Sequence, residues 1–267
     1  MTRYFAAFGG LCEIFAIDLR PSVVDAAVEW TRGQHHRFTR FEPESELSHF
    51  NNALPGHWVT VSDDLEELLR VGLDAYVRSA GLVHIGVLPA LLAAGYTRTF
   101  ADGPTEPSPD GATPPKPLPE ILEVKAGRAK LAKGSAVDLG GIAKGWLADR
   151  CVERLGGNAL ANFAGDLYAR GPGIGGEGWP IGFGDRTVLL REMGAATSGT
   201  TKRSWGEGLH HLIDPRTGLP STSDLGELSV LARTGTEAEI LAKTALLMGR
   251  DAGIAWLEGK ALGWATP

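Results

Sequence analysis

A chain of 267 residues can bury a substantial core, as one large domain or two closely joined lobes. Its 43% hydrophobic and 22% charged residues are ordinary for a globular protein, and a net charge of −6 with a pI near 5.7 argues against a broad nucleic-acid face. No apolar run approaches the roughly 18 residues of a membrane span, so membrane insertion is not expected. Cys12 and Cys151 are expected as buried free thiols, without metal-ligand spacing. Leu11 stands before Cys12 where a lipid-attachment signal needs a small residue, and the short stretch ahead of it has no long apolar core. A cytoplasmic location is expected.

In chain order, residues 4–18 read as one or two strands broken at Gly9 and Gly10, and 22–37 as a helix. Ser62, followed by Asp63 and Asp64, caps a helix in which Leu65, Leu68, Leu69, Leu73 and Tyr76 keep the helical period. A short helix follows Val87. Residues 101–120 carry seven prolines among Gly, Ser, Thr and Asp, which predicts a surface loop inside the domain and no boundary. Residues 133–137 read as the end of a strand, and Ile142, Ala148, Cys151, Val152 and Leu155 as the buried face of a helix. Between them, 138–145 spells Asp-Leu-Gly-Gly-Ile-Ala-Lys-Gly, a strand-to-helix turn. Its paired glycines permit close approach, the first helical N–H groups favour an anion, and Lys144 adds a positive charge. From the residues alone it is either a phosphate site or a packing turn.

Residues 159–194 read as strands with glycine-rich turns. The run Gly-Pro-Gly-Ile-Gly-Gly at 171–176 is a loop and not a dinucleotide fingerprint, because Pro172 interrupts it and no helix follows. Residues 188–192 and 225–233 read as further strands, and a final helix covers about 237–248, stopped by Gly249. Strands and helices mix without regular alternation, which favours an α+β class.

The 138–145 turn, the segment Arg-Phe-Glu-Pro-Glu-Ser-Glu-Leu-Ser at 40–48 ending at Asn51, Ala-Thr-Ser-Gly at 196–199 and His-Leu-Ile-Asp-Pro-Arg-Thr-Gly at 211–218 together resemble the ApbE family of FAD:protein FMN transferases, over about 8–249. The resemblance implies an ApbE-like mixed sheet and helices with one ligand cleft between lobes, in a single domain 1–267 with the Pro-rich loop at about 101–120. It also implies that FAD is split, FMN is attached to a Ser or Thr of a target flavoprotein, AMP leaves and magnesium assists. Two other activities suit the same fold: an FAD-binding protein with transfer lost, and an FAD pyrophosphatase in which water replaces the acceptor.

Carried over residue by residue, the resemblance implies that Asp138 and Lys144 contact FAD and that the Gly141 carbonyl ligates the metal. His211 would be the base, a task suited to an imidazole with a pKa of about 6.5. The other reading of Asp138 is a helix cap, and that of His211 a satisfied structural histidine. His210, adjacent on a strand, would face the other way. Phe8 and Phe41 lie either against a ring of FAD or in ordinary core, and Thr197 falls near the flavin. His35, His36, His49 and His57 are expected at the surface or in loops.

Three departures stand out. Val83 and His84 occupy the place of Phe-Asp beside the flavin, and Ala164 stands where glycine is usual. Glu239 and Lys243 occupy the positions of an Asp and a Thr that ligate the metal. A charged lysine has no lone pair to give a metal. The pair is either an ordinary i, i+4 helix contact or a built-in cation in the metal's place.

Overall fold

In the computed structural model, which describes residues 1–108 and 112–266, helices and antiparallel sheets are mixed, giving the α+β class. The chain divides into two compact units. The first comprises Met1–His35, Ile142–Gly199 and Ser223–Pro267, the second His36–Gly141 and Thr200–Thr222. The boundary therefore falls inside the 138–145 motif, between Gly141 and Ile142.

The first unit is built on an antiparallel sheet of seven strands among the described residues. Their spatial order is their chain order: Thr2–Ala7, Gly10–Ile17, Asn158–Phe163, Asp166–Arg170, Met193–Gly199, Glu227–Ala232 and Gly263–Ala265. The first two strands join through Phe8 and Gly9, both at positive φ (54° and 73°), the twist a two-residue hairpin turn requires. Cys12, Ile14 and Ala16 alternate into the core, and burial pushes the Cys12 and Cys151 thiols up to about 12. Both are free cysteines, as expected.

The helix Ala143–Leu155 packs on the strands Asn158–Phe163 and Asp166–Arg170, and the helix Gly235–Met248 on Met193–Gly199 and Glu227–Ala232. The two helices meet at Gly145 and Gly235. A Cβ on Gly145 would lie 2.3 Å from the Gly235 carbonyl oxygen, so only glycine permits this approach. Thr234 caps the second helix by accepting from the Glu237 N–H at 3.0 Å. The Asp149 carboxylate adds bonds from the Gly235 and Thr236 N–H groups at 2.6 and 2.9 Å. On the sheet's other face, the hairpin of Trp179–Phe183 and Arg186–Leu190 packs Trp179, Phe183 and Leu190 against Leu160, Leu167 and Ala195.

In the second unit, Ser62 caps the helix Asp63–Arg78 as expected, accepting from the Leu65 N–H. Glu46 binds the Ser62 N–H at 2.7 Å and the Arg37 guanidinium at 2.8 Å, which ties the early motif to the start of that helix. Within the Pro-rich stretch, Phe100–Asp102 and Leu118–Ile121 form single helical turns. Residues 109–111 of that loop lie outside the described residues.

Three sequence expectations are corrected. Residues 133–137 form no strand, since the strand ends with Arg128–Leu131. Lys133 and Gly134 form a turn, with Gly134 at φ 77°, and Val137 alone is paired as a strand residue would be. The Asn51 side-chain amide binds both the N–H and the C=O of Val137, at 2.8 and 2.9 Å, in place of a neighbouring strand. The helix Gly235–Met248 is not the last. After Gly249, at φ 85°, the chain turns into the helix Arg250–Leu257 and then the edge strand Gly263–Ala265. His35 lies in the helix Pro21–Phe38 and not in a loop, half-buried with its ring 5.0 Å from that of Phe8.

Ala164 has φ 56°, a left-handed conformation that costs a non-glycine residue about 1–2 kcal/mol. Ala164→Gly is therefore expected to stabilise the protein by about 1 kcal/mol, less the backbone entropy that glycine adds to the unfolded chain. Urea unfolding at unchanged m-value checks this. A lowered midpoint would show that the Ala164 methyl group contributes more in packing than its backbone strain costs.

Candidate functional site

In the second unit, Asp138 follows Val137, which the Asn51 amide holds, and its own N–H donates to the Ile85 carbonyl at 2.8 Å. Its carboxylate does not cap the helix that follows. One oxygen accepts from the Gly140 N–H at 2.9 Å, shaping the glycine turn that also holds half-buried Gly141, and the other pairs with Arg40 at 2.8 Å. The Arg40 side chain is only 5% exposed and also donates to the Tyr96 carbonyl at 2.8 Å. Its guanidinium lies 4.1 Å from the Phe41 ring centroid and 4.7 Å from that of Tyr96. Tyr96 continues to Trp205, with ring centroids 5.4 Å apart. Phe41 thus belongs to an aromatic group built around a buried cation, one edge of which is fixed by Asp138. Arg40, present in the early motif without a role of its own there, is the residue that sequence reasoning missed. The signal is an arginine directly preceding the aromatic position.

Val83 and His84 serve the scaffold in this structure. The Val83 side chain is buried and its N–H donates to Ser79 Oγ at 2.8 Å. His84 Nδ1 accepts from the Gly86 N–H at 3.0 Å, capping the turn Ile85–Val87, while Nε2 donates to the Lys116 carbonyl at 3.0 Å. Burial holds the His84 pKa below its usual value. The unfolded chain therefore takes up the proton first. The stability this neutral imidazole supplies is complete above the unfolded pKa of about 6.5 and is lost as pH falls from there toward the folded value. As pH falls below about 6.5 the wild type is expected to lose stability from this group, with a slope no steeper than about 1.4 kcal/mol per pH unit. His84→Asn, which keeps an acceptor for the Gly86 N–H, should flatten that slope in paired denaturation curves; an equal slope in both proteins would exclude His84 as its source.

The motif opening at His211 separates two histidines. His210 is buried, donates from Nε2 to the Ser221 carbonyl at 2.9 Å and accepts at Nδ1 from the Leu212 N–H at 3.2 Å, so backbone groups fix its tautomer. His211 is half-buried, its own N–H bonded to the Arg203 carbonyl. The chain then makes the expected turn, with Thr217 and Gly218 N–H groups on the Asp214 carbonyl and the Arg216 side chain folded back on the Asp214 carboxylate.

In the first unit, four charged side chains gather where the helices bearing Lys144 and Glu239 meet the sheet. The Lys144 ammonium is paired with Asp166, whose other oxygen accepts from the Thr197 N–H at 3.3 Å. Glu239 Oε2 accepts from the Gly145 N–H at 2.9 Å, and Oε1 lies 3.8 Å from the Lys243 ammonium. Asp166 and Glu239 are buried, and the side chains of Lys144 and Lys243 are 15% and 16% exposed. Burial, with the Asp166 charge adding to it, pushes the Glu239 carboxyl up to about 7. The Thr197 hydroxyl pairs with that of Ser229 at 2.8 Å and faces a cavity of about 460 Å³ beneath the Trp179 hairpin. Phe8 packs between the His35 and Phe163 rings, at 5.0 and 5.8 Å.

A divalent ion does not fit this donor set. The Lys144 and Lys243 ammonium groups stand against the Asp166 and Glu239 carboxylates that such an ion would need; an ammonium has no lone pair to give a metal, and its charge repels one. Among the described residues, no three His, Cys, Asp or Glu side chains gather as a metal site.

The model of the ApbE family matches residues 8–264. A relative from Klebsiella pneumoniae, an FAD:protein FMN transferase, is 30% identical over 234 residues, covering 80% of this chain and 72% of its own. A Treponema pallidum protein of the same description is 28% identical over 297 residues, covering 96% of this chain and 81% of its own. In fold, the chain resembles the ApbE protein of Thermotoga maritima with a TM-score of 0.85 at 23% identity, over 98% of this chain and 92% of that one. The apo form of the flavinyl transferase ApbE of Pseudomonas stutzeri gives 0.83 at 22% identity, over 97% and 88%. The chain belongs to the ApbE family.

Proposed function

We propose that this protein is an FAD:protein FMN transferase, which splits FAD and attaches FMN to a Ser or Thr of a target flavoprotein. The observation that carries the reading is the family match over residues 8–264, joined by relatives that bear that activity in their names. The chemistry of each unit supports it. The first offers two ammonium groups, Lys144 and Lys243, suited to a pyrophosphate. The second offers the Asp138 carboxylate, suited to a hydroxyl of the dinucleotide, and the Phe41 ring, suited to a flat heterocycle.

In the reaction, the acceptor hydroxyl oxygen bonds to the FMN phosphorus. The bond from that phosphorus to the bridging pyrophosphate oxygen breaks, and AMP leaves carrying that oxygen. The hydroxyl proton goes to His211. No step is routed through magnesium, because the residues present do not fit it. A cytoplasmic setting rests on Cys12 and Cys151, which are buried as free thiols. No helix among the described residues is long and apolar enough to cross a membrane.

FAD is expected to bind about tenfold or more tightly than FMN, since the adenylate half brings a second phosphate and a second ring system. Flavin fluorescence titration tests this. Equal affinity for the two flavins, or none for either, counts against the reading.

A further inference from the structure

The cluster in the first unit is an alternation of charge: Lys144 against Asp166, and Glu239 against Lys243, all four largely out of water. Lys243 lies one helical turn beyond Glu239, on the side of its helix that Glu239 shares, so the ammonium is held beside a carboxylate that is itself fixed by the Gly145 N–H. Burying a carboxylate without a compensating charge is costly. A binding site for a diphosphate built around Glu239 must therefore supply positive charge of its own. An oxygen-ligated divalent ion would be one supply, and the donor set does not accept one. An ammonium carried by the protein itself is another. It donates up to three hydrogen bonds, enough to serve a carboxylate and a phosphate oxygen together.

We infer that the Lys243 ammonium takes the place of a divalent cation, so that this member of the family binds the FAD pyrophosphate without metal. The inference rests on the reading of the chain as an FAD-binding ApbE protein, and it makes the substrate's charge partner a residue of the protein. Thr244 is no substitute ligand, because its hydroxyl donates to the Ile240 carbonyl at 2.7 Å and its side chain is buried.

The test has two arms. In the first, Mn²⁺, as a spectroscopic probe for magnesium, is titrated into the wild-type protein and followed by electron paramagnetic resonance, with and without FAD. No stoichiometric protein-bound Mn²⁺ is expected beyond what FAD alone takes up. Lys243→Thr combined with Glu239→Asp restores oxygen ligands and is expected to bind one equivalent. In the second arm, wild-type FAD affinity is expected to be the same within about twofold in EDTA and in magnesium. Lys243→Met, which keeps the stem's packing, should weaken FAD binding roughly tenfold or more, and Lys243→Arg should retain most of it. Tight stoichiometric Mn²⁺ in the wild type, lost in Glu239→Gln, overturns the inference, as does FAD binding that EDTA abolishes. Absence of any FAD binding would instead remove the functional reading, while the Mn²⁺ arm would still decide whether Lys243 excludes the metal. If the variants fail to fold, the wild-type Mn²⁺ and EDTA measurements decide between these outcomes by themselves.

Discussion

Gly145→Ala is expected to lower the unfolding free energy by about 3 kcal/mol, the upper part of the range for forcing atoms into a packed core. The added Cβ would meet the Gly235 carbonyl oxygen at 2.3 Å and the Thr236 nitrogen at 2.8 Å. These are backbone atoms of a neighbouring helix, so no side-chain rotation relieves the clash and the two helices must move apart. The bond from the Gly145 N–H to Glu239 spans that gap, and Lys144 is the adjacent residue, so separation disturbs the charge cluster as well. Gly194→Ala should behave alike, since its Cβ would lie 2.2 Å from the Gly235 nitrogen. A denaturant midpoint that falls at constant m-value confirms the effect; an unchanged midpoint would mean that the helices have slack the packing does not show.

His211→Ala is expected to lower FMN transfer by about 10²–10⁴-fold, the usual contribution of a positioned base. FAD affinity should stay within about threefold, because the base acts on the acceptor hydroxyl and not on the bound dinucleotide. His210→Ala should instead damage stability, since backbone groups on both sides of its ring would lose their partner. Single-turnover transfer assays on both variants, alongside denaturation curves, separate the two histidines. Full activity in His211→Ala would remove it from the mechanism.

Much of the fold is legible in the amino-acid sequence. Period and capping locate the helix after Ser62, alternation locates the first hairpin, and four motifs in order point to the family. The misses have physical causes. Residues 133–137 read as a strand end because they run into Ala136 and Val137, but Lys133 and Gly134 form a turn and an asparagine amide from far along the chain binds Val137, a partner that periodicity does not report. The helix Arg250–Leu257 is two turns long, too short for its pattern to stand out after the glycine that stops its predecessor. His84 reads as a substituted site residue, whereas its neighbour Gly86 makes it a turn cap. Arg40 shows nothing in sequence of the buried pair it forms with Asp138, because their partnership is set by tertiary contact across 98 residues.

Transfer of FMN from FAD to a protein hydroxyl can be read by incubating the purified chain with FAD and a flavoprotein that carries the acceptor Ser or Thr, then measuring the acceptor's intact mass and the nucleotides released. The acceptor is expected to gain one FMN less a water, on that residue, with one AMP formed per transfer and no requirement for added magnesium. An acceptor of unchanged mass while FAD is converted to free FMN and AMP would make the protein a pyrophosphatase. Intact FAD throughout, in the presence of tight FAD binding, would make it a flavin-binding protein in which transfer has been lost.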